Sequence, residues 1–332
     1  MSQPAISVAM SVYNCSAYLG QAIESILAQT FTDFEFLILN DGSTDDSAAV
    51  IDAYAAKDSR IRPIHRENKG LIVSLNQLVA EAKAPLVARM DGDDIAMPER
   101  FARQIAFLSA NPGYGVLGTW TADIDEDGNP FRVAGPDHPT TNDEFQAIIS
   151  TRSALCHPSV MMRRELVLAV GGYHAAFKHC EDYDLWLRLA HLTKIRSLPE
   201  RLVKYRHSDG QVSSRHIVTQ QYGTVVSRLA YEARVAGKPD PTENLADLPP
   251  LEELDALFSL PGASRAARAR LVAGLLYSPV AMKGSGFDLL LDHVREGGSR
   301  KGLWRTVARV AVRMQEPQRA LTLARALLKA TG

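Results

Sequence analysis

Asp91-Gly92-Asp93-Asp94 directly follow the apolar run Pro85-Leu86-Val87-Ala88-Arg89-Met90. Carboxylates grouped at the end of a buried strand repel one another and call for a cation. A hard divalent ion is commonly held by one or two carboxylates together with substrate phosphates. The spacing therefore predicts an Mg2+ or Mn2+ site that holds a diphosphate. Asp93 is the first candidate ligand. Asp91 is placed to reach a ribose, or the metal through water. The competing reading is a solvated Asp-Gly turn, which Asp-x-Asp alone does not exclude.

Three further groups could do chemistry. Asp41 ends a second apolar run and precedes a helix. A carboxylate there accepts a hydrogen bond from an imino N–H, as on uracil or thymine but not cytosine; the alternative is a helix cap. Glu181-Asp182 opens a helix whose dipole favours acids, so capping competes with general-base work on a hydroxyl. His157 and His207 are candidates for a ligand or a diphosphate partner. Gly113-Tyr114-Gly115-Val116-Leu117-Gly118 fits G-x-G-x-x-G, but a helix precedes it and a strand follows. A dinucleotide fingerprint needs the reverse order, so the match is rejected.

These residues need a frame that brings strand ends together. Apolar runs at residues 6–12, 34–39, 61–65 and 86–90 read as strands, with Pro63 marking an edge. Amphipathic stretches at 17–28, 46–56 and 71–82 read as helices between them. This alternation predicts an α/β fold with a mostly parallel, Rossmann-like sheet covered by helices. Ligands of such sheets bind beyond the carboxyl ends of strands, where Asn14, Asp41 and Asp91 all fall. A helix from Pro98 to Ser109 and a strand from Gly115 to Asp125 come next. The Pro- and acid-rich stretch 239–258 reads as a linker, and the Ala-, Leu- and Arg-rich remainder as helical.

The chain has 332 residues, 46% of them hydrophobic and 23% charged, with net charge −1. No apolar run reaches membrane-spanning length and no signal-peptide layout opens the chain. Cys15, Cys156 and Cys180 lack metal-ligand spacing and read as reduced thiols, so the expected location is cytoplasmic. Charge is unevenly spread. Residues 259–332 hold about 13 Lys/Arg against about 4 Asp/Glu, near +9, leaving about −10 for the rest.

Val8 to Asn14, Asn40 to Asp45, Asn68-Lys69-Gly70 with Asn76, Met90 to Asp94, and Glu181 to Trp186 stand in the order seen in family-2 glycosyltransferases. Over residues 4–215 the chain resembles that family; Gly171-Gly172-Tyr173 and Tyr205-Arg206-His207 with Ser213 are similar to bacterial members that build surface polysaccharides. The resemblance implies a GT-A fold at 1–215, with a nucleotide-sugar half to about 110 and an acceptor half beyond it, followed by a helical extension at 216–332. It implies a nucleotide-diphosphate sugar, UDP-sugar foremost and dTDP-sugar next, bound by Val12, Tyr13, Asn14, Asp41, Asn68, Gly70, Asn76, Arg89, Asp91 and Gly92. Asp93, with Asp91 and His207 as further candidates, would hold Mn2+ or Mg2+. Asp182 would be the base of an inverting transfer to a glycan or lipid-linked acceptor, with Glu181 the lesser candidate. Asp94, His157 and Arg163 or Arg164 would orient donor or acceptor.

Arg305, Arg309 and Arg313 recur at i, i+4, i+8 beside Trp304 and Val307, forming one basic helical stripe. It is either a solvated face or a surface drawn to anionic membrane, where each Lys or Arg contributes about 1 kcal/mol. Nucleic acid is not expected, since no aromatic-interleaved basic patch appears. Two rivals to a transferase are a non-catalytic sugar-nucleotide-binding scaffold of the same fold and a nucleotidyltransferase. The second would need a glycine-rich, arginine-containing N-terminal loop, and Met10-Ser11-Val12-Tyr13-Asn14 stands there instead.

Overall fold

A computed structural model of the chain describes residues 3–131, 137–207 and 216–329. It divides into two compact units, Met1–His174 with Glu181–Ser208, and Ala175–Cys180 with Asp209–Gly332.

The first unit is built on β1 (Ile6–Val12), β2 (Phe34–Asp41), β3 (Ile61–Arg66) and β4 (Leu86–Asp91). All eight residues of β2 are buried, and β1 is nearly as closed. Continuous burial is what a parallel strand covered on both faces requires. The helices α1 (Ser16–Leu27), α2 (Ser47–Ala55) and α3 (Leu71–Glu81) connect these strands. Leu19, Ala22, Ile23 and Ile26 form the buried stripe of α1; Leu75, Leu78 and Val79 form that of α3. The periodicities predict these elements to within a residue or two at most ends. β3 lies at the sheet edge, as Pro63 implies.

The full sheet has the order β3-β2-β1-β4-β7-β6-β8-β5. β1 pairs in parallel with both β2 and β4, so the chain reverses its direction of growth between β1 and β4. That reversal opens a crevice at the carboxyl ends. Asp91 stands in register with Ser11 on its rim.

Beyond β4 the pattern is mixed. β5 (Ile95–Ala96) is followed by α4 (Arg100–Ala110), β6 (Tyr114–Ile124) and α5 (Asn142–Ile149). Then come β7 (Met161–Arg163), α6 (Arg164–Ala169), α7 (Glu181–Leu189) and β8 (Lys194–Arg206). β7 is antiparallel to β4 and β6, and β8 runs parallel to β6. The Gly113–Gly118 match indeed joins a preceding helix to a following strand.

The second unit is helical, with Ile217–Val235, Ala263–Leu275, Ser285–Arg295, Leu303–Val312 and Pro317–Lys329 as its longer helices. Its core takes in Phe177, Val226, Leu229, Leu271, Leu290, Val310 and Leu323. The stretch 239–258 is not a linker. Leu251 and Leu254 are buried in this core, Arg234 pairs with Asp240, and the Tyr222 hydroxyl donates to the Pro249 carbonyl. Two leucines placed on a short helical turn outweigh the acidic, proline-rich composition.

Candidate active site

The rim of the β1/β4 crevice is assembled from loops that bind one another. Asn14, with φ 50°, donates its backbone N–H to Ser43 Oγ at 3.0 Å and accepts from the Thr44 N–H through Oδ1 at 2.7 Å. Asp45 is the residue that caps, accepting from Ser16 N–H at 2.9 Å and Ser47 N–H at 3.0 Å. Ser43 and Thr44 hold the loop after β1. Gly42 has φ 74°, and a Cβ there would meet the Asn68 backbone nitrogen at 2.6 Å. Only glycine allows this approach.

Asp41 is buried and fixed by its own side. Its Oδ1 accepts from Arg66 Nε at 2.9 Å and from Lys69 N–H at 3.0 Å, and its Oδ2 from Gly70 N–H at 2.8 Å. It therefore ties the 66–70 segment to the end of β2. Asn76 exchanges two 2.8 Å hydrogen bonds with the backbone of Tyr173. Gly172, at φ 71°, leaves room for it, since a Cβ would sit 2.4 Å from Asn76 Oδ1.

The acidic cluster follows. Asp91 is half-buried and bonded to Arg89, whose guanidinium is only 2% exposed. Asp93 is half-buried, and its carboxyl is raised to about 6 by burial and then by Asp91. Asp94 is fully buried. Its Oδ1 accepts the Arg206 N–H at 2.8 Å, while Oδ2 has no protein partner. Burial, then Asp91 and Asp93, hold its carboxyl well above the ordinary range.

Glu181 and Asp182 open α7. Burial and the Asp182 charge raise Glu181 to about 8. Burial raises Asp182 to about 6, against the Tyr183 backbone N–H, and Asp91 adds to the rise. The Asp91 charge thus reaches both acids of α7. His157 donates or accepts at 2.9 Å with the Tyr173 hydroxyl, and its ring lies edge-on to Trp186. Burial and the nearby Arg89 keep it neutral.

Other expected residues sit elsewhere. Arg163 pairs with Leu86, the first residue of β4, and bonds the carbonyls of Tyr114 and Leu108. It is at the opposite end of β4 from Asp91. Arg164 caps α3 through the carbonyls of Val79 and Ala80. Gly92 is buried and packs on Cys15, Leu19 and Val12. Tyr13, Asn14 and Asn68 are exposed at the rim. His207 follows Arg206, which bonds Asp93 and Asp94, but itself faces Asp123 at 3.4 Å, between the rings of Tyr205 and Phe131. Ser213 lies outside the described residues. Residue-type reasoning passed over Arg206, a buried cation in a strand, and the structural part of Arg89. For Arg89 a charge inside an otherwise apolar strand is the available signal; β8 carries five other charges and gives none for Arg206.

Among the described residues no group of three His, Cys, Asp or Glu is set to hold a metal. The donor set nonetheless fits a hard cation: oxygen ligands, one buried carboxylate oxygen without a partner, and carboxyls raised by burial and then by their neighbours' charge. Such a cation would complete its shell with phosphate and water, which is the habit of Mg2+.

The sequence model described as "Glycosyl transferase family 2" matches residues 7–171. The O-antigen biosynthesis glycosyltransferase WbnJ of Escherichia coli is 34% identical over 206 residues, spanning 60% of this chain and 79% of that protein. The structure of S. aureus TarS 1-349 in complex with UDP superimposes with a TM-score of 0.57 at 17% identity, covering 98% of this chain and 88% of that one. Mannosyltransferase PcManGT from Pyrobaculum calidifontis, in complex with GDP-Man and Mn2+, gives 0.53 at 15% identity, covering 99% and 88%. The chain belongs to glycosyl transferase family 2 and has its GT-A-like fold.

Proposed function

We propose that the chain is an inverting, divalent-cation-dependent glycosyltransferase. It moves a sugar from a nucleotide-diphosphate donor, a UDP-sugar foremost, to a hydroxyl of a glycan or lipid-linked glycan in bacterial surface polysaccharide synthesis. The observation that carries this is that Glu181 and Asp182, buried at the start of α7, lie near enough to Asp91 of the acidic cluster for its charge to raise both carboxyls further. The O-antigen relative and the UDP-, GDP-Man- and Mn2+-bound neighbours support donor class and cation.

Asp93 and Asp91 would hold the cation, which supplies neutralisation of the departing diphosphate. Tyr13 and Asn14 form the exposed shelf for the base. Asp41 Oδ2 takes one protein hydrogen bond, from Gly70, and retains acceptor capacity for an imino N–H. Asp182 removes the acceptor hydroxyl proton, and a carboxylate raised to about 6 is better matched to that task near neutral pH than an ordinary one. The acceptor oxygen bonds to the anomeric carbon as the bond to the diphosphate breaks. One displacement inverts that carbon.

The second unit supports a peripheral place on anionic membrane. From Gly297 to Gln315 the chain has Arg300, Lys301, Arg305, Arg309 and Arg313 and no acid. Trp304 is 54% and Val312 76% exposed on the same helix. Arg309 lies 4.0 Å from the ring centre of Tyr277, which is 70% exposed. Aromatic rings and basic side chains together suit a membrane interface. No helix among the described residues is long and apolar enough to cross a membrane.

A panel of sugar nucleotides scored by thermal shift, with and without Mn2+, tests the donor assignment. A gain with one UDP-sugar that requires metal supports it. No gain with any nucleotide favours a non-catalytic subunit of the same fold.

A further inference from the structure

Arg206, the last residue of β8, is 2% exposed beside the acidic cluster. Its backbone N–H donates to Asp94 Oδ1 at 2.8 Å. Its Nε donates to the main-chain carbonyl of Asp93, also at 2.8 Å. Nη1 bonds the carbonyls of Asp125 at 3.1 Å and Glu126 at 2.8 Å, in the turn after β6. Nη2 bonds Gln21 Oε1 at 3.0 Å on α1, and the guanidinium lies 4.5 Å from the centre of the Tyr18 ring. One side chain thus joins α1, the turn after β6 and the Asp93-Asp94 peptide.

A guanidinium near several acids ordinarily forks onto a carboxylate. Here none of these bonds uses the Asp93 carboxylate. The guanidinium instead holds the main-chain carbonyl of Asp93. Lysine could not reproduce this, because an ammonium lacks the planar fork that reaches two elements at once.

We propose that Arg206 is a positioning residue that aims Asp93 and Asp94 at the cation and diphosphate by tying the peptide that joins them to α1 and to the turn after β6. This rests on the donor-site reading above. It differs from a merely structural tie in one respect: loss of Arg206 should damage the metal-dependent part of nucleotide binding selectively.

Isothermal titration of UDP into the full chain, with Mn2+ and with chelator, separates the possibilities. In Arg206→Ala, UDP affinity with Mn2+ falls tenfold or more, while affinity without metal stays within about twofold of the parent. Arg206→Lys falls similarly, since charge alone is insufficient. Gln21→Ala, which removes one anchor and leaves the cluster intact, shows a smaller loss in the same direction and decides the matter if the Arg206 variants do not fold. Unchanged metal dependence in a folded Arg206 variant, or in Gln21→Ala where that variant decides, overturns the inference alone, as does an equal loss with and without metal. A parent chain whose UDP binding ignores Mn2+ overturns the donor-site reading, and the inference with it.

Discussion

Arg89 and Asp91 are bonded two residues apart on one strand, so their side chains share a face of the sheet. The guanidinium is buried while the carboxylate reaches the rim. Arg89 is therefore the resident counter-charge of a crevice that also holds Asp93, Asp94, Glu181 and Asp182. Removing it leaves buried like charges uncompensated. Arg89→Met is expected to destabilise the chain by roughly 3–5 kcal/mol, the usual result of breaking a buried pair. Urea denaturation at pH 7.5 measures this; a loss under about 1 kcal/mol would show that the cluster does not depend on Arg89.

Asp182 carries the second prediction. A base must be ionised, so turnover should rise with pH and reach half its plateau near the Asp182 value of about 6. Asp182→Asn should retain metal-dependent UDP binding and lose at least a hundredfold in transfer rate, within the usual ~10²–10⁴ contribution of acid–base catalysis. Full turnover by that variant would remove Asp182 from the base role.

Glu181 makes a claim on stability. Its carboxyl is raised from 4.5 to about 8 by folding. A raised carboxyl lends stability that is fully present below the unfolded value and lost as pH climbs through the folded one. Glu181→Gln, which cannot ionise, should have a Tm close to the parent at pH 4.5 and several degrees higher at pH 8.5. Scanning calorimetry at both pH values checks the sign; a Tm difference independent of pH would refute it.

Gly172→Ala should be costly although no reacting group is touched. Alanine at φ 71° is strained, and its Cβ would meet Asn76 Oδ1. A loss of roughly 1–3 kcal/mol is expected from the strained backbone alone. Asn76→Ala in the same background should recover part of it, because it removes the clash. A double-mutant cycle measures the coupling.

For the basic helix, the parent chain should float with vesicles containing phosphatidylglycerol but not with purely zwitterionic ones. Arg305→Glu with Arg313→Glu should abolish flotation, and Trp304→Ala should weaken it severalfold. Equal binding to both vesicle types would set aside the electrostatic reading.

The strands and helices up to Met90 were legible because parallel packing demands long apolar runs, and turns such as Asp41-Gly42-Ser43 leave strong marks. The acceptor side was harder to read. β7 is three residues long and β5 two, too short for any alternation to register. β8 carries Pro199, Glu200 and Arg201 mid-strand, and its register with β6 shifts there. The carboxylates were legible as a cluster. Their counter-charges were not, because Arg89 and Arg206 act from inside strands where residue type alone suggests an error of pattern. Arg163 was hidden for another reason: the antiparallel strand β7 sets it against Leu86, at the end of β4 away from the crevice.

The Asp41 staple has a consequence for how a nucleotide would arrive. With Arg66, Lys69 and Gly70 fastened to the end of β2, that wall of the crevice is braced by the protein's own hydrogen bonds. A ligand meeting it has little loop entropy to extinguish on this side. Encounter there should resemble the docking of a rigid body, with on-rates insensitive to viscosity-coupled loop closure.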